Sequence, residues 1–364
     1  MSKNYEDYQP INPMPPRRRS NSLLSFVQYS IIILLVVALV VSALFFIVTH
    51  KDSGGGGNNN KLPQESETLP PEPDETTGDA TTAPETGTET GPDTPVIDLT
   101  DYMDIEVPKA QINKGSLILV SANNKVVYPT ANELIDFYGN KPNSYQISAG
   151  NMKISKEVLP FLNDMMDGFF KATKKNDIII WTSYRDEARQ TQVYNEYVAK
   201  YGIDESAPVK KVAKPGESDH NTGLGVALKA YINGIPYKLT DVNGYSWIEE
   251  NCHKYGFIER YPSDKKEKTG IDYSDSYYIR YVGIPHSEIM KARSLTLEEY
   301  IILLKDYTFG NAHYDYTASD GTEYDIYYVR AEGDGNTCTV SVPKDKEYTI
   351  SGNNMDGFIV TVKG

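Results

Sequence analysis

Cysteine and histidine are both scarce in this chain of 364 residues, which contains two cysteines and five histidines. Two cysteines exclude a scaffold held by several disulfides, and they exclude a metal site built from four thiolates. Cys252 and Cys338 either form one bridge outside the cell or are two separate small hydrophobic side chains in the core. We favour the second interpretation.

Basic residues are also too few to balance the acidic ones. The chain has 36 lysines and arginines against 50 aspartates and glutamates, a formal net charge of −14. Because contacts to phosphates need lysine and arginine, this balance argues against nucleic acid as a partner. Much of the acidity is local, since Lys51 and Lys61 are the only basic residues of segment 51–104. Its polar composition predicts a disordered extracytoplasmic linker over residues 50–104.

One apolar run, from Phe26 to Val48, is longer than the roughly 20 residues that cross a bilayer. No small-residue cleavage site follows it, as a signal peptide would require. Three arginines at 17–19 precede the run, which places the N-terminus in the cytoplasm. The sequence therefore predicts a cytoplasmic tail (1–25), a transmembrane helix (26–49) and a single-pass protein of the cell membrane. A late-cleaved signal would send the same domain outside.

Beyond the linker, hydrophobic periodicity predicts alternating strands and helices. Apolar runs predict strands at 116–122 and 177–182, and helical spacing predicts helices around 154–171, 185–201 and 295–304. From 324 to 362, strand-like runs alternate with turns. We expect an α+β domain over 105–307, with an antiparallel sheet and packed helices, followed by a small all-β module over 308–364.

Six segments carry short motifs in a fixed order. They are 115–121 (GSLILVS), 182–190 (TSYRDEARQ), 215–227 (PGESDHNTGLGVA), 254–262 (KYGFIERYP), 277–286 (YYIRYVGIPH) and 295–300 (LTLEEY). Together they resemble the VanY-type D-alanyl-D-alanine carboxypeptidases, which are zinc D,D-peptidases of the cell wall. The resemblance covers about residues 110–306 and implies the fold of that family.

The resemblance also assigns the catalytic positions. The family holds zinc with three protein ligands and an open position for water, and a glutamate serves as general base. Here His220 matches the first ligand, whereas the second falls on Ala227, the third on Tyr278 and the base on Asp275. Alanine has no donor atom, and a phenol titrates near 10. We therefore expect no bound metal cofactor and an altered base position at Asp275.

Two alternatives remain open at the level of the sequence. A rearranged zinc site from His220, Asp275 and His286 would keep the chain active in removing terminal D-alanine. A cell-envelope scaffold would instead use the linker and the β module to recruit partners, and its pocket would be vestigial.

The retained motif residues predict binding. The resemblance places Arg185 near the substrate carboxylate, which a guanidinium can hold with two hydrogen bonds; the alternative is an ion pair with a neighbouring acid. Gln190, Ser218 and His220 also match motif positions and are expected to bind substrate; for Gln190 and Ser218 the alternative is a structural role. Arg280 is expected in a structural ion pair. The expected partner is a peptidoglycan stem peptide or precursor, bound by a metal-free pseudoenzyme.

Overall fold

The computed structural model describes residues 99–274 and 276–364. The predicted cytoplasmic tail, transmembrane helix and nearly all of the linker lie outside the described residues, and so does Asp275. Within the described ranges, no helix is both long and apolar enough to cross a membrane. The prediction of a spanning helix at 26–49 is therefore untested.

The described residues form a mixed α+β fold. Its helices are α1 Leu159–Thr173, α2 Glu187–Tyr201, α3 Ser246–Asn251, α4 Lys266–Thr269, α5 His286–Ala292 and α6 Leu297–Leu304. Its strands are β1 Tyr102–Pro108, β2 Leu134–Asp136, β3 Gln146–Ile147, β4 Lys153–Ser155, β5 Ile178–Thr182, β6 Gly225–Ile232, β7 Ile235–Tyr237, β8 Phe257–Glu259, β9 Tyr277–Tyr281, β10 Tyr314–Thr317, β11 Glu323–Arg330, β12 Thr337–Pro343, β13 Glu347–Gly352 and β14 Gly357–Lys363.

The central sheet has the strand order β3-β5-β6-β9-β8, and β7 pairs with the end of β6. All of its pairs are antiparallel except β3 with β5. Helix α1 packs on this sheet through a stripe of side chains at helical spacing, and these share one core with β5 and β6. The buried members of the stripe are Leu159, Leu162, Met165, Met166 and Phe169.

The first long helix begins later than the periodicity predicted. Residues 154–155 belong to β4, which pairs with β2, and α1 begins only at Leu159. Pro160 occupies the first turn of α1, where its missing N–H costs no helical hydrogen bond. The prediction therefore assigned the apolar residues before Leu159 to the helix, although 154–155 belong to strand β4. Helices α2 and α6 also begin about two residues later than predicted, after the N-caps Asp186 and Thr296.

The predicted strand at 116–122 is wrong, although most of its apolar side chains are buried. Its backbone groups bond to loops and side chains rather than to a neighbouring strand. The Leu119 amide donates to the Asn353 carbonyl at 3.0 Å, and Arg280 Nη2 donates to two carbonyls of the segment at 3.0 and 3.1 Å. Burial alone produced the strand-like pattern.

The C-terminal module is all-β, as predicted. Strands β10-β11-β14-β13 form one antiparallel sheet, and β12 pairs along its length with β1. Strand β14 is buried on both faces, because Ile359 joins the core under α5 and α6 while Val360 joins the core under β12. The module thus includes a strand from residues 102–108, and the predicted boundary at 308 stays a prediction.

Both cysteines are free and buried. Cys252 lies in the core of the central sheet and Cys338 in the core of the β module. This confirms the interpretation of two separate buried thiols.

His286 lies inside the contact between α5 and the β module. Its Nδ1 bonds the Tyr300 hydroxyl at 2.8 Å and its Nε2 bonds Thr361 Oγ1 at 3.0 Å. Burial lowers the pKa of His286 to about 3, from the ordinary 6.5. Since the unfolded chain takes up a proton that the folded chain excludes, the free energy of unfolding falls as the pH drops below about 6.5.

We expect this histidine to cost about 2 kcal/mol of stability between about pH 7.5 and about pH 5. Urea unfolding of the wild type and of His286→Gln at both pH values measures the effect. The glutamine variant should lose about 2 kcal/mol less than the wild type over this interval. Equal losses in the two proteins would contradict the assignment of the pH dependence to His286.

Candidate ligand-binding site

Three strands of the central sheet bring the family's ligand positions together. Thr182 on β5 pairs with Ala227 on β6, and Ala227 pairs with Tyr278 on β9. His220 lies in a short 3₁₀ turn just before β6, with its ring centroid 4.6 Å from that of Tyr278. The positions that the sequence motifs assigned to zinc ligands are therefore adjacent in the fold.

The His220 ring is bonded at both nitrogens. Its Nδ1 lies 2.8 Å from the Ser183 carbonyl oxygen, which can only accept, so Nδ1 carries the proton. Its Nε2 is then an acceptor, and the Tyr273 hydroxyl donates to it at 2.9 Å. Burial and the Arg185 guanidinium lower the pKa of His220 well below 6.5 and keep the ring neutral. The nitrogen that would face a metal faces a hydroxyl instead.

Tyr278 fills the space beside His220. Its ring packs against those of Tyr261 and Tyr273, with centroids 5.6 and 5.4 Å away. Gly225 permits this approach, because a Cβ there would lie 2.8 Å from the Tyr278 hydroxyl. Burial raises the pKa of Tyr278 well above 10, so the group remains a phenol. Among the described residues, its hydroxyl has no hydrogen-bond partner.

These side chains do not fit a zinc ion. Ala227 offers a methyl group, Tyr278 a buried neutral phenol, and His220 a nitrogen that is already hydrogen-bonded, whereas zinc needs three donors such as imidazole or carboxylate. His286 is not brought to this site, since both of its ring nitrogens are bonded between α5 and the β module. The structure therefore gives no support to a rearranged site that includes His286, and Asp275, its third member, lies outside the described residues.

Asp219 points away from the pocket into a buried ion network. Its carboxylate accepts from Arg260 Nε at 2.5 Å, from the Tyr261 hydroxyl at 2.9 Å and from Arg280 Nη1. Arg260 also holds Glu298 through two hydrogen bonds of 2.6 and 3.1 Å. Burial alone would raise the pKa of Asp219, but the two guanidiniums outweigh burial and lower it. The structural role expected of Arg280 is confirmed, whereas the role of Arg260 in the network was not predicted.

A pocket of about 400 Å³ opens beside the tyrosine cluster. Arg185, Gln190, Ser218 and His220 all line it, so the fold brings the predicted binding residues together. Gln190 is 1% exposed and accepts from Arg185 Nη1 at 3.2 Å while donating to the Ala213 carbonyl at 2.8 Å. Ser218 caps the 3₁₀ turn by accepting from the His220 amide at 3.3 Å.

Arg185 is held in place by its backbone. Its amide donates to the His220 carbonyl at 2.8 Å, and its own carbonyl accepts from Asn221 Nδ2 at 2.7 Å. Among the described residues, no carboxylate lies within 4.0 Å of its guanidinium. The alternative that a described neighbouring acid neutralises Arg185 is therefore wrong.

Tyr273 is a site residue that was not predicted from the sequence. It lies in the loop before β9 and bonds His220. The available signal was its position, two residues before the family's catalytic glutamate position.

Comparisons with known proteins agree on one family. The profile described as VanY, D-alanyl-D-alanine carboxypeptidase, matches residues 152–284. A D-alanyl-D-alanine carboxypeptidase of Enterococcus faecium is 34% identical over 266 residues, which are 70% of this chain and 78% of that protein. One of Enterococcus faecalis is 34% identical over 195 residues, which are 51% of this chain and 65% of that protein.

A solved structure supports the same assignment. The vancomycin resistance D,D-dipeptidase VanXYg, in complex with a D-Ala-D-Ala phosphinate analogue, has 30% sequence identity and a TM-score of 0.61. The match covers 72% of this chain and 99% of that one. On the length and identity of these matches, the chain belongs to the VanY family of D-alanyl-D-alanine carboxypeptidases.

Proposed function

We propose that this chain is a membrane-anchored, metal-free member of its family that binds peptidoglycan stem peptides ending in D-Ala-D-Ala. The observation that carries the proposal is Arg185, a guanidinium in a pocket with no carboxylate partner among the described residues. A partly buried cation of this kind favours an incoming carboxylate. The solved relative VanXYg, named for D,D-dipeptidase activity, binds a D-Ala-D-Ala analogue.

The neighbouring groups suit binding better than hydrolysis. Ala227, Tyr278 and the hydrogen-bonded His220 supply no ligand set that would activate a water molecule. The Tyr273 hydroxyl donates to His220 and keeps free lone pairs, which can accept an amide N–H of the peptide. Arg185 would hold the terminal carboxylate, and Gln190 would keep the guanidinium oriented.

Replacing Arg185 with alanine is expected to weaken binding of a stem pentapeptide by about 10- to 100-fold, because charge-assisted hydrogen bonds contribute about 1.5–3 kcal/mol. Isothermal titration calorimetry of the full chain in detergent measures the change. Arg189→Ala is the matched control, since Arg189 is an exposed arginine in the first turn of α2, four residues after Arg185, and does not line the pocket. Unchanged affinity in Arg185→Ala would refute carboxylate capture at this residue.

The anchor is supported by the apolar run over 26–49 and by the arginines at 17–19 that precede it. We expect the full chain to stay in the membrane fraction after a carbonate wash, while a variant lacking residues 1–50 is released. External protease should digest residues 50–364 in intact protoplasts. Protection of the C-terminal domain from that protease would contradict the proposed orientation.

A further inference from the structure

A second pocket, of about 330 Å³, opens beside the edge strand β8 of the central sheet. Strand β8 contributes Glu259 to its wall and β9 contributes Tyr277. Glu259 is the register partner of Ile279, and side chains alternate between the two faces of a strand. Glu259 and Tyr277 therefore share one face of the sheet, whereas Tyr278 lies on the other. This pocket has no lining residue in common with the candidate ligand-binding site.

Two residues of this wall carry buried polar atoms with no hydrogen-bond partner in the part of the chain that the structure describes. They are Tyr277, through its hydroxyl, and His253, through Nδ1. Tyr277 is 4% exposed, and burial raises the pKa of its hydroxyl well above 10. Burial and two neighbouring lysines lower the pKa of His253, so its ring is neutral and keeps one acceptor nitrogen. Since an unpaired buried polar group is costly, these atoms point to a ligand that bonds them.

The charge around the pocket favours a cation. Three carboxylates line it, those of Glu249, Glu259 and Asp264, and none has a basic partner within 4.0 Å among the described residues. Of the two lysines in the wall, Lys265 bonds a glutamate outside the pocket at 3.2 Å, and Lys291 is exposed. Burial and the nearby Glu249 carboxylate raise the pKa of Glu259. A positively charged ligand would relieve both effects.

An organic ammonium ion fits this wall better than a metal ion. Among residues 99–274 and 276–364, no three histidine, cysteine, aspartate or glutamate side chains are grouped so that they could hold a metal. Burial raises the pKa of the Cys252 thiol to about 12, so this residue of the wall supplies no thiolate. Phe257, Met290 and Leu295 add an apolar surface that suits an alkyl chain.

We infer that this pocket is a second ligand site that binds a primary alkylammonium ion, with the nitrogen between Glu259 and Tyr277. An ammonium group has three N–H donors. The Glu259 carboxylate accepts one in a charge-assisted hydrogen bond, the Tyr277 hydroxyl accepts another, and the alkyl chain packs against Phe257, Met290 and Leu295. The inference does not depend on the proposed function, because it concerns a separate pocket and a ligand of opposite charge.

The test is calorimetric titration of n-butylamine, which is protonated at pH 7.5, into the full chain in detergent, with detergent alone as the blank. We expect a dissociation constant of about 1 mM, as suits a ligand of five heavy atoms. Two probes of the same chain length separate charge from donors. Both n-butanol, which has no charge, and n-butyltrimethylammonium, which has no N–H, should bind at least about tenfold more weakly.

Substitutions assign the site. Glu259→Gln should weaken binding of n-butylamine at least about tenfold, and Tyr277→Phe about five- to tenfold, because each removes one acceptor and keeps the shape of the side chain. Glu250→Gln is the matched control, since Glu250 is an exposed glutamate of α3 that lines neither pocket, and it should leave the affinity unchanged. Circular dichroism checks that the variants are folded.

Three results would overturn the inference: no binding of n-butylamine by the wild type, equal affinity of the wild type for n-butylamine and n-butanol, or unchanged affinity in folded Glu259→Gln. The first two need no variant. None of the three bears on capture of the stem peptide by Arg185, which is measured with a different ligand in the other pocket.

Discussion

Replacing Asp219 with alanine is expected to lower the free energy of unfolding by about 3–5 kcal/mol. The side chains of Asp219 and Arg280 are fully buried, and that of Arg260 is 1% exposed. Removing the carboxylate leaves two buried guanidiniums with Glu298 as the remaining carboxylate of the network. Breaking a buried pair from one side is costly because the desolvated charge that remains has no compensation.

Urea unfolding at neutral pH measures this loss, and Asp136→Ala supplies the comparison. Asp136 pairs with Lys153 at 2.8 Å, but both side chains are nearly half exposed, so its loss should cost about 0–1 kcal/mol. Arg280 also bonds the buried segment 116–122, so Asp219→Ala should loosen that segment first, seen as faster hydrogen exchange. A cost below about 1 kcal/mol would contradict a stabilising role for this buried ion network.

The second large effect concerns the metal site. The double variant Ala227→Asp with Tyr278→His is expected to bind zinc at least about 100-fold more tightly than the wild type. The two positions are register partners on β6 and β9, beside His220. Replacing the phenol ring with the smaller imidazole also makes room for the new carboxylate. The Tyr273 hydroxyl must release His220 Nε2, and a single hydrogen bond of this kind contributes only about 1 kcal/mol.

Metal content after dialysis against zinc, measured by inductively coupled plasma mass spectrometry, gives the result. About one zinc per chain is expected in the double variant. Tyr278→Phe is the matched control, because it keeps the ring, removes the hydroxyl and supplies no ligand. If the double variant bound no more zinc than Tyr278→Phe, the assignment of positions 227 and 278 to the lost ligands would be wrong.

The positions that correspond to the family's zinc ligands were predicted more accurately than the boundaries of the helices and strands. The resemblance to the family assigned Ala227, Tyr278 and His220 to one site, and the strand pairing brings Ala227 and Tyr278 together beside His220. The assignment carries over well because these positions lie on or next to adjacent strands of one sheet. The start of α1 and the segment 116–122 were mispredicted, because apolar periodicity reports burial and not which group accepts each backbone hydrogen bond.

Long-range polar contacts could not be predicted from the chain. The bonds of Tyr273 to His220, and of Arg260 to Asp219 and Glu298, join residues that are 53, 41 and 38 positions apart. Nothing in local composition distinguishes these tyrosine and arginine side chains from exposed ones. The pairing of β1 with β12 likewise joins the two ends of the described chain, which hydrophobic patterning of either strand alone does not indicate.

The most direct test of the central claim is calorimetric titration of a stem pentapeptide into the full chain, with and without a strong chelator, while free D-alanine is assayed. We expect the same dissociation constant in both buffers and no release of D-alanine, because Arg185 and not a metal holds the peptide. Binding that is lost on chelation, or D-alanine released only when zinc is present, would contradict the account.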